Sequence, residues 1–132
     1  MWIAGSDSVI MGNRINFSGG YVTGGPAYVF GIDAGGSSSV VVIGNVVGEY
    51  SVQEGACAAI RMDGDYCVAA GNVAHAYDIQ NDGASCVTVG NLCMGDDDFN
   101  TGHVEASDGM CIGNVSYGSS TEPGSAEIAG NI

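Results

Sequence analysis

The chain of 132 residues carries 15 acidic residues against two arginines, Arg14 and Arg61, for a net charge of −13. So little positive charge leaves nothing to neutralise phosphates and excludes nucleic acid as a partner. Neither a basic leader with an apolar core nor an apolar run near the ~20 residues of a membrane span is present, so no signal peptide and no membrane contact are expected. A 45% hydrophobic content at this length is one domain's worth of material, and 23 glycines without a Gly-X-Y period exclude collagen and suit many tight turns.

In chain order, Met1-Trp2-Ile3 opens the first element, and Ser6-Asp7-Ser8 turns into a β-branched run, Val9 to Met11, closed by Gly12-Asn13. Residues 16–39, punctuated by Gly19-Gly20, Gly24-Gly25-Pro26 and Gly35-Gly36, are longer than one unit needs and predict an extended loop or lateral insertion. Val40 to Ile43 then runs into Gly44-Asn45, and Ala56 to Met62 forms a further strand. The next two units are the most regular, Ile60-Arg61-Met62-Asp63-Gly64 being matched by Ile79-Gln80-Asn81-Asp82-Gly83, and their Asp-Gly steps are expected as turns. These units close at Gly71-Asn72 and Gly90-Asn91; an acidic passage, Asp96-Asp97-Asp98, precedes the unit closing at Gly113-Asn114, and the last closes at Gly130-Asn131.

Gly-Asn thus ends a hydrophobic run six times, at a mean spacing of about 24 residues, which is the mark of a repeat architecture. Leucine-rich repeats are excluded because Leu92 is the only leucine, and the runs are β-branched instead. The fold expected is all-β, a right-handed parallel β-helix of about six coils making a single domain over residues 1–132. Glycine followed by asparagine suits the left-handed bend between two strands of a coil. Coils stacked about 4.8 Å apart then bring Asn13, Asn45, Asn72, Asn91, Asn114 and Asn131 within reach of one another as an Asn ladder. In this pattern the chain resembles the parallel β-helix superfamily that includes pectate lyases and phage tailspikes, from Val9 to Ile132.

Alternation along each strand separates two rows. Counting back from the glycine, positions minus three and minus one (Val9/Met11, Val41/Ile43, Val68/Ala70, Val87/Val89, Met110/Ile112) are assigned to the interior, with Glu127 breaking the row. The outward row is then Ile10, Val42, Ala69, Thr88, Cys111 and Ile128, with Val40, Cys67 and Cys86 two positions earlier. Strands apolar on both faces are buried on both faces, so the outward row is expected to pack against protein, as a homotrimer interface. The competing reading folds residues 16–39 over the same sheet. The open edges of the first and last coils predict capping by neighbouring proteins, or a fragment of a longer helix.

Chemistry is sparse. Asp63, Asp82, Glu105 and Glu122 each lie eight residues before a glycine; in register they would form a carboxylate column with the spacing of a retaining glycosidase, though the Asp-Gly turns account for two of them. Asp96, Asp97, Asp98, Asn100, Glu105 and Asp108 offer oxygens suited to Ca²⁺, yet match no calcium-loop spacing and read as a solvated loop. His75 and His103 stand alone, so no metal site and no cofactor is expected. Pectate lyases use basic residues beside calcium; here only Arg14 and Arg61 are available, which argues against that activity. Tyr50, Tyr77 and Tyr117 suit either sugar stacking or stacking on one another. Five cysteines (Cys57, Cys67, Cys86, Cys93, Cys111) form an odd set with no Cys-x-x-Cys, read as buried thiols and a reducing compartment.

These features predict a non-enzymatic structural virion protein of a tailed phage, assembled in the host cytoplasm. It would be a trimeric capsid decoration (cement) protein or a tail-fibre/spike segment, in contact with other virion proteins. The alternative is a carbohydrate-binding or carbohydrate-degrading β-helix module with a glycan partner.

Overall fold

The computed structural model describes residues 1–17, 29–49, 57–75, 78–94, 104–117, 121–122 and 127–129. Every element among them is a strand: β1 (Val9–Met11), β2 (Arg14–Phe17), β3 (Val29–Asp33), β4 (Val41–Ile43), β5 (Val46–Glu49), β6 (Cys57–Met62) and β7 (Val68–Ala70). They are followed by β8 (Val73–His75), β9 (Asp78–Val89), β10 (Leu92–Met94), β11 (Val104–Ile112), β12 (Val115–Tyr117), β13 (Thr121–Glu122) and β14 (Glu127–Ala129). All pairings are parallel. A nine-stranded sheet runs β1-β4-β7-β9-β11, with β3 and β6 joining through β9, and with β13 and β14 on β11; a five-stranded sheet runs β2-β5-β8-β10-β12.

Among the described residues the chain alternates between the two sheets, crossing from the larger to the smaller at Gly12-Asn13, Gly44-Asn45, Gly71-Asn72, Gly90-Asn91 and Gly113-Asn114. Gly12, Gly44, Gly71, Gly90 and Gly113 hold φ between +59° and +67°, a backbone that only glycine adopts without a Cβ penalty. A second column of left-handed residues, five positions before the glycine, has no glycine at all: Asp7, Ser39, Tyr66 and Ser85, with φ of 57° to 60°. Each short strand before Gly-Asn is therefore held between two left-handed corners. Tyr66 is the least suited of the four and is 65% exposed. Tyr66→Asn is expected to stabilise the fold by about 0.5–1 kcal/mol, because asparagine tolerates that backbone and little buried surface is lost; chemical denaturation measures it.

Three sets of inward side chains fill the space between the strands. Ile32, Ile60, Ile79 and Val104 stack in register, as do Ile10, Val42, Ala69, Thr88 and Cys111, and Val47, Ala74 and Cys93. All are 0–5% exposed, so the core is a continuous apolar column along the stack. Of the stretch expected as an insertion, residues 29–33 are β3, whose Ile32 is fully buried against Ile60; residues 18–28 lie outside the described residues. The expected Asp82-Gly83 turn lies inside strand β9 instead. Gly64, Gly83 and Gly109 are not in the left-handed region; they are glycines because the neighbouring rung passes against their Cα atoms, Gly83 facing the carbonyl of Gly64 and Gly64 that of Ser37.

Candidate functional site

The two rows of the strands before Gly-Asn are exchanged relative to the sequence reading. Ile10, Val40, Val42, Cys67, Ala69, Cys86, Thr88 and Cys111, expected at an interface, point into the core and are 0–5% exposed; the side chain of Ile128 lies outside the described residues. The outward row is Val9/Met11, Val41/Ile43, Val68/Ala70, Val87/Val89 and Met110/Ile112, aligned rung on rung. Val9 is 64%, Met11 67%, Ile43 37% and Met110 41% exposed, and the rest of the row is half-buried by its own neighbours. The reason is the corner at glycine. Its left-handed backbone bends the chain without completing an alternation, so the inward asparagine after the corner shares its side with minus two, not minus one. The signal was present in sequence: Glu127, the single charge in either row, stands at minus three.

The result is a stripe of ten aliphatic side chains without a charge, one strand wide and running along the stack. It amounts to roughly several hundred Å² of apolar surface, the size at which exposed patches mark interaction sites.

Behind it, the asparagines form a hydrogen-bonded column. The backbone N–H and Nδ2 of Asn13 both donate to Oδ1 of Asn45 (2.9 and 3.1 Å), and Asn45 donates likewise to Asn72 (3.0 and 3.1 Å). Asn72 donates to Asn91 (2.9 and 3.0 Å) and Asn91 to Asn114 (3.0 and 2.9 Å). The second Nδ2 hydrogen of Asn45, Asn72, Asn91 and Asn114 goes to the carbonyl of Ile10, Val42, Ala69 and Thr88 respectively, at 2.8–3.0 Å. Asn131 lies outside the described residues.

The four-carboxylate column does not form. Asp63 and Asp82 flank the same edge, but Glu105 pairs with Gln80, which pairs with Arg61, and Glu122 pairs with Glu105, so the later pair belongs to another column. Asp63 is held above the usual carboxylate range by partial burial, with Arg61 opposing and Asp82 and Asp33 adding to the rise. Arg61 spans two rungs, its Nε 3.1 Å from Asp33 and 3.5 Å from Asp63, and its guanidinium lies 4.2 Å from the Phe30 ring centre. That cluster, unnoticed in sequence, accounts for one of the chain's two arginines. Among the described residues no three His, Cys, Asp or Glu side chains converge on a metal position. Tyr50, Tyr77, Asp96, Asp97, Asp98, Asn100 and His103 lie outside the described residues, and Tyr117 contributes only backbone. No family model matches the chain, and no curated protein or solved structure is significantly similar to it.

Cys67, Cys86, Cys93 and Cys111 are buried in the core. Burial pushes Cys86 upward and Cys93 to about 12, from an ordinary 9.0. Because the folded value of Cys93 exceeds the unfolded one, its contribution to stability is whole below pH 9.0 and is lost as pH climbs toward about 12. Native protein at pH 8 is therefore expected to leave all four thiols unalkylated, and its melting temperature to fall steeply above pH 9.0; mass spectrometry after iodoacetamide and melts across pH read the two effects.

Proposed function

We propose that the chain is a structural protein, a right-handed parallel β-helix of about six coils on an Asn ladder, which assembles as a homotrimer through its outward aliphatic stripe. The supporting observation is that stripe: a solitary sheet has its outer face polar, and this one carries ten aliphatic residues in register. In a chain of net charge −13, a row whose only charge is Glu127, at its last position, is also where copies approach with least repulsion. The stripe runs along the stack, so closing three copies about an axis parallel to the stack covers its whole length at once. The role assigned is that of a tailed-phage virion protein, a capsid decoration (cement) protein or a tail-fibre/spike segment, which draws on the resemblance of the repeat to phage tailspikes.

Native mass spectrometry is expected to give three times the chain mass. Val68→Glu, at the middle of the stripe, places three carboxylates around the axis and is expected to yield folded monomer, because desolvating an unpaired carboxylate costs several kcal/mol. Wild-type protein that stays monomeric at micromolar concentration removes the trimer. Flanking genes for capsid or tail components are expected, and a metabolic operon in their place removes the virion role.

A further inference from the structure

The smaller sheet has an outward row of its own. In β5, β8 and β10 the second residues, Val47, Ala74 and Cys93, are enclosed, so the first and third residues of each strand face out. The first position carries Arg14, Val46, Val73, Leu92 and Val115, aligned rung on rung, and Leu92 is the chain's only leucine. Val46, Val73, Leu92 and Val115 are half-buried, and His75 and Met94 continue the face at the third position. Each residue of this row stands two positions after a corner glycine, as Met11, Ile43, Ala70, Val89 and Ile112 of the stripe stand one before it. The corner glycines are exposed, and a Cβ on any of Gly12, Gly44, Gly71, Gly90 and Gly113 would meet nothing within 4 Å. The stripe and the second row thus flank a ridge that carries no side chain. None of the described carboxylates, Asp7, Asp33, Asp63, Asp65, Asp78 and Asp82, falls in either. Among the described side chains of both, Arg14, exposed on the first rung, is the only charge.

We infer that this second row is the surface on which the stripe of a neighbouring copy sits, so that each copy presents two different faces, one on either side of its glycine ridge. The pairing presupposes the trimer proposed above and supplies the other half of its contact. A two-fold contact sets one patch against itself, whereas a ring of three is heterologous, each copy giving one face to one neighbour and a different face to the other. A stripe set against a stripe makes a pair, not a ring. The second row lies where the missing face must be: beside the stripe, parallel to it, over the same rungs, with only the ridge between. Area points the same way. The stripe supplies roughly a few hundred Å², short of the ~800 Å² that each partner buries in a stable contact, and the second row roughly doubles what a copy can bury. Charge also favours a second copy here, since a chain of net charge −13 meets its own kind with least repulsion along rows free of carboxylates.

Sedimentation velocity of the full chain over a concentration series tests this, with circular dichroism to check that each variant keeps the wild-type fold. Leu92→Glu is expected to give folded monomer, as Val68→Glu does, and to raise the concentration for half-assembly at least about a hundredfold, because an unpaired carboxylate then stands where the neighbour's stripe must sit. Val73→Lys is expected to do the same although lysine offsets part of the −13, which separates loss of the contact from general repulsion. Ala84→Glu adds an acid at an exposed position outside both rows and is expected to keep the trimer. Mixed at millimolar concentration, Val68→Glu and Leu92→Glu are expected to form a one-to-one pair, since the first keeps its second row and the second keeps its stripe. Wild-type trimers that persist in both Leu92→Glu and Val73→Lys overturn the second face and leave the trimer standing, as does a mixture that stays monomeric. A wild-type monomer, or a wild-type dimer in which stripe meets stripe, overturns the trimer and the second face together.

Discussion

Asn72→Ala is expected to destabilise the protein by about 3–6 kcal/mol, a large part of what holds a domain of this size folded. Asn72 is fully buried at the centre of the asparagine column. Its Oδ1 receives Asn45 N–H at 3.0 Å and Asn45 Nδ2 at 3.1 Å, and its Nδ2 serves Val42 O at 2.8 Å and Asn91 Oδ1 at 3.0 Å. Alanine removes all four bonds. Two donors of Asn45, itself fully buried, are then left without their acceptor, each at about 1–3 kcal/mol. The melting temperature is expected to fall by roughly 10–25 °C, read by circular dichroism.

Two companion variants separate this account from mere loss of packing. Asn13→Ala is expected to cost under about 1 kcal/mol, since Asn13 sits at the half-exposed end of the column and accepts from no described donor. Asn72→Asp keeps the acceptor but places a carboxylate in the core, where burial must raise its pKa, so its deficit is greatest at neutral pH and narrows as acid protonates it. An Asn72→Ala melt within 1 kcal/mol of wild type would show that the column is decoration on a fold held by its aliphatic core alone.

That column was legible in the sequence because its cause is local and repeated: one residue type at one position, next to a glycine whose backbone requirement is unmistakable. The parallel pairing was legible too, from β-branched runs returning at a fixed interval, and the match of Ile60 to Met62 with Ile79 to Asn81 holds rung on rung. What alternation could not supply was the absolute direction of the rows. Val42 and Ile43 are equally apolar, and only the corner at Gly44 decides that Val42 is enclosed while Ile43 is exposed. A solvated face ordinarily breaks that tie with polar residues, and here only Glu127, at the last unit, does so. The left-handed corner at Tyr66 was hidden for a different reason, because its residue type argues against the backbone it adopts. The carboxylate column failed because counting from one glycine assumes equal rungs, and β11 shifts register between Ala106 and Gly109.

Gly83→Ala is expected to cost about 3 kcal/mol or more, above the usual range for adding one methyl to a core. A Cβ at Gly83 would fall on the carbonyl carbon and oxygen of Gly64, which are backbone and cannot turn aside as a side chain does. Gly64 in turn lies against the carbonyl of Ser37, so moving that rung away transmits the misfit along the stack. Gly90 provides the opposite case: its φ is +60°, and a Cβ there meets nothing within 4 Å. Alanine at Gly90 costs only the left-handed penalty of about 1–2 kcal/mol, and asparagine, which tolerates that backbone, costs less. The order of the two residues must therefore reverse between the sites, Asn milder than Ala at Gly90 and harsher than Ala at Gly83. Denaturant unfolding of the four variants measures it. Equal costs at both positions would mean that the rungs are not in the close contact that makes residue 83 a glycine.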